Sequence, residues 1–434
     1  MIATLRNAWR VDEIRKKLLF VLFMILLYRL GNAITVPYVN TEMLSQYFQQ
    51  QMRDTVLAFI NTMSGSALER ASIFALSIQP YINASIIIQL LTVAIPALER
   101  IQKEGGEEGK KKLEQITRYS TIGIAALQGY GYYVLINTGG GSGSSMLDPG
   151  ATGLWPPIVI VATFMTGSAL LMWMGEQITE FGVGNGISVI LFVSIVSRFP
   201  NQIASMITSI TKAPSTWWIY VLVLLGALAI IILIVIVNSA ERRIPVQYSK
   251  RVVGRKMYGG QSTHLPMKVN MSGVLPVIFA QSIASIPATV VVFVPRWKES
   301  GFMKFFDTSG VPYMIIYFLL IVFFSYFYST VQFNPIEIAN NLKKNGGFIP
   351  GFRAGKPTSE FIQKVLTKIT LFGALYLAII ALTPMIISYF SPTAKNASIS
   401  LGGTSVIIVV SVALETIKQL ESQLLMRHYK GFLE

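Results

Sequence analysis

Ten runs of mostly apolar residues, each near the length that crosses a bilayer, constrain this chain more than any other feature. They lie at about Leu18 to Val36, Ala71 to Pro96, Ile116 to Ile136, Leu154 to Trp173, Val183 to Phe199, Trp217 to Val237, Val274 to Val294, Tyr313 to Val331, Ile369 to Phe390 and Leu401 to Leu420. A helix needs roughly 20 such residues to cross the hydrocarbon core. Backbone in lipid must satisfy its own hydrogen bonds, so the runs predict spanning helices. Charged residues make up 13% of the chain and hydrophobic ones 52%, where soluble domains carry roughly 25% charged residues. The reading is an all-α integral membrane protein with ten transmembrane helices. Because ten is even, both termini lie on the same side.

Loop charges set the orientation. The segment Met1 to Lys17 carries Arg6, Arg10, Arg15, Lys16 and Lys17 ahead of the first run, which is too long and lacks the small-residue cleavage site of a signal peptide. Arg29 falls near the far end of that run, where it can snorkel. Alternate loops collect Arg100, Lys103, Lys110, Lys111, Lys112 and Arg118, then Arg242, Arg243, Lys250, Arg251, Arg255, Lys256 and Lys268. The same side takes Lys343, Lys344, Arg353, Lys356, Lys364, Lys368, Lys418, Arg427 and Lys430, while the other receives Arg53, Arg70, Arg198, Lys212, Arg296, Lys298, Lys304 and Lys395. The positive-inside rule makes the first side, with both termini, cytoplasmic. Two of its loops, 238–270 and 332–358, are long, basic and rich in Gly and Pro, which predicts protruding ordered hairpins. Gly139 to Gly153, on the opposite side, reads as a flexible linker.

The stretch from Val56 to Pro96 is unlike the others. Its first part, about residues 55 to 70, is broken by Asn61, Ser64, Gly65, Ser66, Glu69 and Arg70, whereas Ala71 to Pro96 carries no charge and predicts a full span. A half-span leading into a span implies irregular backbone at membrane depth, tolerated where it is buried in protein or lines a watery cavity. That points to a channel or a transporter.

Motifs for other chemistry are missing. The sequence has no cysteine, and its two histidines, His264 and His428, have no histidine neighbour at ligand spacing. No metal site, cofactor or catalytic residue is expected. Gly105 to Lys111, GGEEGKK, has its glycines one residue too close for a phosphate loop and no Ser or Thr after the lysine. It reads as a solvated charged loop. Gly182 to Gly186, GVGNG, lacks the dinucleotide-binding spacing and reads as a tight helix start. HExxH, GxSxG and paired intramembrane carboxylates are absent, which argues against an enzyme. The net charge of +15 calls for anionic lipid headgroups, nucleic acid or an acidic protein surface.

Five longer stretches carry a resemblance: ASIFALSIQPYINASIIIQLLTV (71–93), GEQITEFGVGNGIS (175–188), QSTHLPMKVNMSGVLPVIFA (261–280), NPIEIANNLKKNGGFIPGFRAG (334–355) and LGGTSVIIVV (401–410). Together they resemble the bacterial SecY family, the large subunit of the protein-conducting translocation channel, over nearly the whole chain.

The resemblance implies two pseudo-symmetric five-helix halves, 1–210 and 211–434, around a central pore in the bacterial cytoplasmic membrane. It places a pore ring at Ile78, Ile82, Ile187, Leu191, Ile278 and Ile408. Positions 78 with 82 and 187 with 191 are i, i+4 pairs on one helical face. Such a ring would resist ions by dewetting yet deform around a polypeptide. Leu191 stands where isoleucine is expected, a swap of equal volume. Apolar residues dominate every span, so without the resemblance these would be packing positions.

The half-span becomes a re-entrant plug with Phe59, Ile60, Asn61, Met63, Ser64, Gly65 and Leu68, its polar residues burying little apolar area so that leaving the pore is cheap. A lateral gate would open between the spans holding Tyr81 to Thr92 and Leu275 to Ile286, with Asn83, Gln89, Thr92 and Gln281 as candidate polar contacts. Arg251, Arg255, Lys256, Lys343, Lys344 and Arg353 would dock the SecA motor or the translating ribosome. The implied partners are the SecE and SecG small subunits, SecA, the ribosome, signal peptides and nascent chains, and anionic lipids.

A secondary solute transporter, which also uses two repeats and a broken helix, is the alternative. It needs ionisable groups at the midplane, whereas Glu176 and Glu180 fall at a cytoplasmic helix end and Arg29 near an interface.

Overall fold

The structure is a computed structural model that describes residues 2–51, 56–139, 145–151, 153–212, 217–248, 251–253, 256–258, 262–293, 310–390 and 403–430. The first part of the chain forms α1 (Ile2–Arg10), α2 (Asp12–Ala33), α3 (Thr41–Gln51), α4 (Val56–Met63), α5 (Gln79–Ala94), α6 (Pro96–Glu104), α7 (Gly106–Thr138), α8 (Trp155–Phe181), α9 (Gly186–Val196), α10 (Phe199–Lys212) and α11 (Trp217–Ser239). There follow β1 (Glu241–Tyr248), β2 (Arg251–Val253), β3 (Lys256–Tyr258), β4 (Ser262–Lys268), α12 (Leu275–Phe293), α13 (Val311–Gln332), α14 (Pro335–Lys344), β5 (Gly347–Phe348), α15 (Lys356–Phe390) and α16 (Gly403–Lys430).

Among the described residues, each of the ten apolar runs lies at least partly on a helix. Among the described residues, six helices are long and apolar enough to cross a membrane: Trp155–Phe181, Gly186–Thr208, Trp217–Ser239, Val311–Lys344, Lys356–Ile387 and Gly403–Met426. A seventh candidate is the pair α5 and α6, bent by 104°. The bend has a local cause: Ile95 precedes Pro96, whose ring disfavours helical backbone at the residue before it, and Ile95 sits at φ −107, ψ 112. The helix α2 carries Lys16, Lys17 and Arg29 with its apolar run, and α7 dilutes its own run with Tyr130, Tyr132 and Tyr133. The protein is a multi-pass membrane protein, and its helices are consistent with ten crossings.

Three local expectations are corrected. The span predicted from Ala71 begins as a helix only at Gln79, because 71–78 is turn, with Ala71 at φ 44 and Ser77 at φ 52. The charged stretch Gly105 to Lys111 is no loop: α7 starts at Gly106 and the charges ride on an exposed helical end. A side chain at Gly109 would meet the Ile101 carbonyl at 2.0 Å, so the glycine permits that turn. In Gly139 to Gly153, 140–144 and 152 lie outside the described residues, but the rest is anchored. Met146 is buried, its N–H donates to the Ile136 carbonyl at 2.9 Å, and its carbonyl accepts from Asn40 at 2.9 Å. By contrast, GVGNG does start a helix, with Asn185 as the N-cap of α9 accepting from the Ser188 N–H.

The first long basic loop is a hairpin, as predicted. Strands β1 and β4 pair antiparallel from Glu241↔Lys268 to Gln247↔Ser262, and β2 pairs with β3 beyond them. The second basic loop is not a hairpin: it forms α14 and then β5, which joins the free edge of β1 to give the order β4-β1-β5. Ile244 and Val246 alternate inward from β1 and pack with Met267, Ile349, Ile362 and Leu366.

Two compact units emerge. One comprises Met1–Tyr220, Ser282–Met314 and Ile408–Glu434; the other comprises Val221–Gln281 and Ile315–Ile407. In the first, α3, the segment after α4, α7 and α8 share a core that includes Leu44, Phe48, Leu68, Tyr132, Ile136 and Phe164.

Candidate functional site

The predicted half-span, about residues 55 to 70, folds where described as α4 followed by turns from Ser64, and those turns continue through Ile78, all in the first unit. Asn61 is its internal fastener: Oδ1 accepts from the Glu69 N–H at 3.1 Å, and Nδ2 donates to Glu69 Oε2 at 2.9 Å. Ser64 Oγ donates to the Asn61 carbonyl at 3.0 Å and accepts from the Leu68 N–H at 3.3 Å. From α7, the Tyr132 hydroxyl donates to the Leu68 carbonyl. Met63 and Leu68 are buried and Ile60 packs against the shared core. Phe59 lies in α4, with its side chain outside the described residues. Asn61 and Ser64, two of the polar residues that sequence reading assigns to cheap departure, are thus hydrogen-bonded within the segment, and leaving forfeits bonds of this kind that depend on its fold.

Two further groups hold this segment from outside. Arg198 Nη1, just beyond α9, donates to Thr62 Oγ1 at 2.6 Å. The buried Tyr28 hydroxyl of α2 lies 2.6 Å from Ser194 Oγ of α9 and donates to the Ser64 carbonyl at 3.3 Å. None of Tyr28, Thr62, Ser194 and Arg198 is singled out by the sequence for this role. Arg198 offered a signal, since an ionisable residue closing an apolar run marks a partner inside the protein.

Five of the six ring candidates lie in the first unit. Ile78 caps α5 and its carbonyl accepts from the Ile82 N–H at 3.1 Å, so the two stack one turn apart, both buried. Ile187 and Leu191 occupy successive turns of α9, with Ile187 against Gly175 of α8 and Leu191 buried. Ile408 is buried in α16. Ile278 of α12, in the other unit, is also buried, and its neighbour Phe279 meets the rings of Phe324 and Tyr328 edge-on.

The four gate candidates behave differently from one another. Gln89 Nε2 donates to Ser85 Oγ at 3.4 Å and Thr92 Oγ1 to the Ile88 carbonyl at 2.6 Å, both within α5. Asn83 is half-buried and Gln281 buried. One hydrogen bond between α5 and α12 comes from Gln79, whose Nε2 donates to Ser282 Oγ at 3.3 Å, with both residues buried in the first unit.

With that geometry in view, comparison with known proteins is decisive. The SecY family profile matches residues 72–417. Protein translocase subunit SecY of Streptomyces coelicolor is 44% identical over 442 residues, covering 100% of each chain. The chain belongs to the SecY family. Its fold is similar to that of a solved protein-conducting channel, with a TM-score of 0.65 at 18% identity over 94% of this chain and 92% of that one. A second solved structure, described for the plug domain of the SecY protein that stabilises the closed state and maintains a membrane seal, matches with a TM-score of 0.64 at 16% identity and the same coverage.

The residues expected to serve the SecY family's cytoplasmic contacts lie in the second unit. Lys343 and Lys344 are exposed in the last turn of α14, where cations complement the helix dipole. Arg353 is exposed on a turn whose carbonyl accepts from Thr358 Oγ1 at 2.8 Å, and beside it the Phe352 ring lies 4.3 Å from that of Phe361. Arg251 pairs with Tyr258 across the β2–β3 ladder and Lys256 with Val253; their side chains, and the whole of Arg255, lie outside the described residues.

Proposed function

We propose that this chain forms the pore of a protein translocase in the bacterial cytoplasmic membrane, with both termini cytoplasmic. It passes secretory polypeptides across the membrane and releases transmembrane segments sideways into lipid. The observation that carries this reading is end-to-end likeness to a translocase subunit, 44% identical over its full length.

In this account the halves 1–210 and 211–434 surround the pore. Ile78, Ile82, Ile187, Leu191, Ile278 and Ile408 form its apolar ring, and residues 55–70 are the plug. The gate runs between α5 and α12, with Gln79 and Ser282 joining Asn83, Gln89, Thr92 and Gln281 as its polar contacts. Interhelical bonds of this kind contribute only about 0.6 to 2 kcal/mol each, and each central Leu or Ile of a nascent segment contributes about −0.5 kcal/mol to insertion. An apolar segment can therefore outcompete the seam. The basic surface of Arg251, Arg255, Lys256, Lys343, Lys344 and Arg353 docks the SecA motor or the ribosome, SecE and SecG complete the complex, and anionic lipids meet the remaining positive charge. The chain performs no bond chemistry, so its partners supply the energy.

Reconstitution tests this. Proteoliposomes holding the chain with its small subunits and a motor ATPase are expected to carry a secretory precursor into a protease-protected lumen. Uptake of a small solute without precursor translocation would favour a transporter.

A further inference from the structure

The structure assigns the Ser194 to Arg198 end of α9 as the latch that holds the plug, on the same helix face that carries two ring residues. The inference rests on the plug reading above and deepens it. Ile187, Leu191 and Ser194 follow one another at i, i+4 and i+7 on one face of α9, and Arg198 lies in the turn that ends it. Neither Gly nor Pro falls between Ile187 and Arg198, so no kink site separates the ring end from the plug end. The final turn tightens without breaking, with Ser197 N–H donating to the Val193 carbonyl at 3.0 Å and Arg198 N–H to Ile195 at 3.1 Å.

Three contacts join that end to the plug. The Arg198 guanidinium donates to Thr62 Oγ1 at 2.6 Å. The Tyr28 hydroxyl bridges Ser194 Oγ and the Ser64 carbonyl at 2.6 and 3.3 Å. Gly65, at φ +69, lets the plug backbone approach so closely that a side chain there would lie 3.0 Å from both the Ser194 carbonyl and Ser197 Oγ. The first contact involves a charged donor in a partly buried place, where hydrogen bonds are strongest. A side-chain contact near 3.6 Å is no longer a hydrogen bond, so a shift of α9 by about 1 Å breaks the 2.6 Å contacts. A polypeptide that pushes Leu191 aside moves the latch with it, and plug release follows ring widening.

The test is the ion conductance of the assembled, reconstituted complex in planar bilayers. Arg198→Ala and Thr62→Val are each expected to raise resting conductance by about tenfold, the effect of losing one charge-assisted bond. Their combination should leak no more than either alone, and Arg198→Lys, which keeps a donor, should recover most of the seal. In a channel held open by a stalled polypeptide, Arg198→Ala should change nothing, because the latch is already released. Additive effects of the two substitutions, or an Arg198→Ala increase that persists after deletion of residues 57–67, would overturn the latch while leaving the plug intact. If that deletion itself left resting conductance at the unmodified level, the plug reading would fall and the latch with it.

Discussion

Under the proposed ring, serine in place of Ile78 is expected to raise the resting ion conductance by about tenfold or more, because a hydrophobic constriction that seals by dewetting fills with water once a polar group lines it. Ile78 and Ile82 stack at the start of α5 with the Ile82 N–H donating to the Ile78 carbonyl, so the substitution alters the lining while keeping the backbone bond that sets it. Ile408→Ser, on α16, should act in the same direction. The measurement is single-channel recording on complexes whose assembly with the small subunits has been checked by co-purification. Ion-tight behaviour in correctly assembled variants would remove both residues from the ring.

Arg353→Glu is expected to lower motor-driven translocation by about tenfold at physiological salt. A charge that steers a partner across water acts mainly on the rate of association, and that action weakens with ionic strength. The local fold should survive: the Arg353 side chain is exposed, its carbonyl is held by Thr358, and Phe352 packs on Phe361. Arg353→Gln, which removes the charge without reversing it, should fall between. Measuring motor and ribosome affinity over a salt series separates the two partners, and the one that uses Arg353 shows a shallower slope in the variant. Unchanged affinity for both partners at low salt would show that this turn is no docking site.

The spans were legible because the bilayer imposes one crude requirement, apolar length, that composition meets directly. The start of α9 was legible for a local reason, since Asn185 caps it with its own side chain. Where the backbone turned without a composition signal, the sequence misled. Nothing in ASIFALSI announces that residues 71–78 are turn, because Ala71 and Ser77 take left-handed conformations that glycine normally marks. The polar contacts were the least legible. Gln89 and Thr92 look like interhelical glue yet bond within α5, Thr92 to the carbonyl one turn back that every helix offers. Gln79 and Tyr28 look unremarkable and make long-range bonds, because which side chain faces which helix is decided by packing that no periodicity records.

The most direct test of a polypeptide path is crosslinking in a chain that has no cysteine of its own. A single cysteine at Ile78 or Ile278 is paired with a cysteine in a stalled secretory polypeptide inside native membranes, with exposed Leu225 of α11 as the lipid-facing control. The account predicts crosslinks at both ring positions and none at the control. Their absence at Ile78 and Ile278 in actively translocating membranes would contradict it.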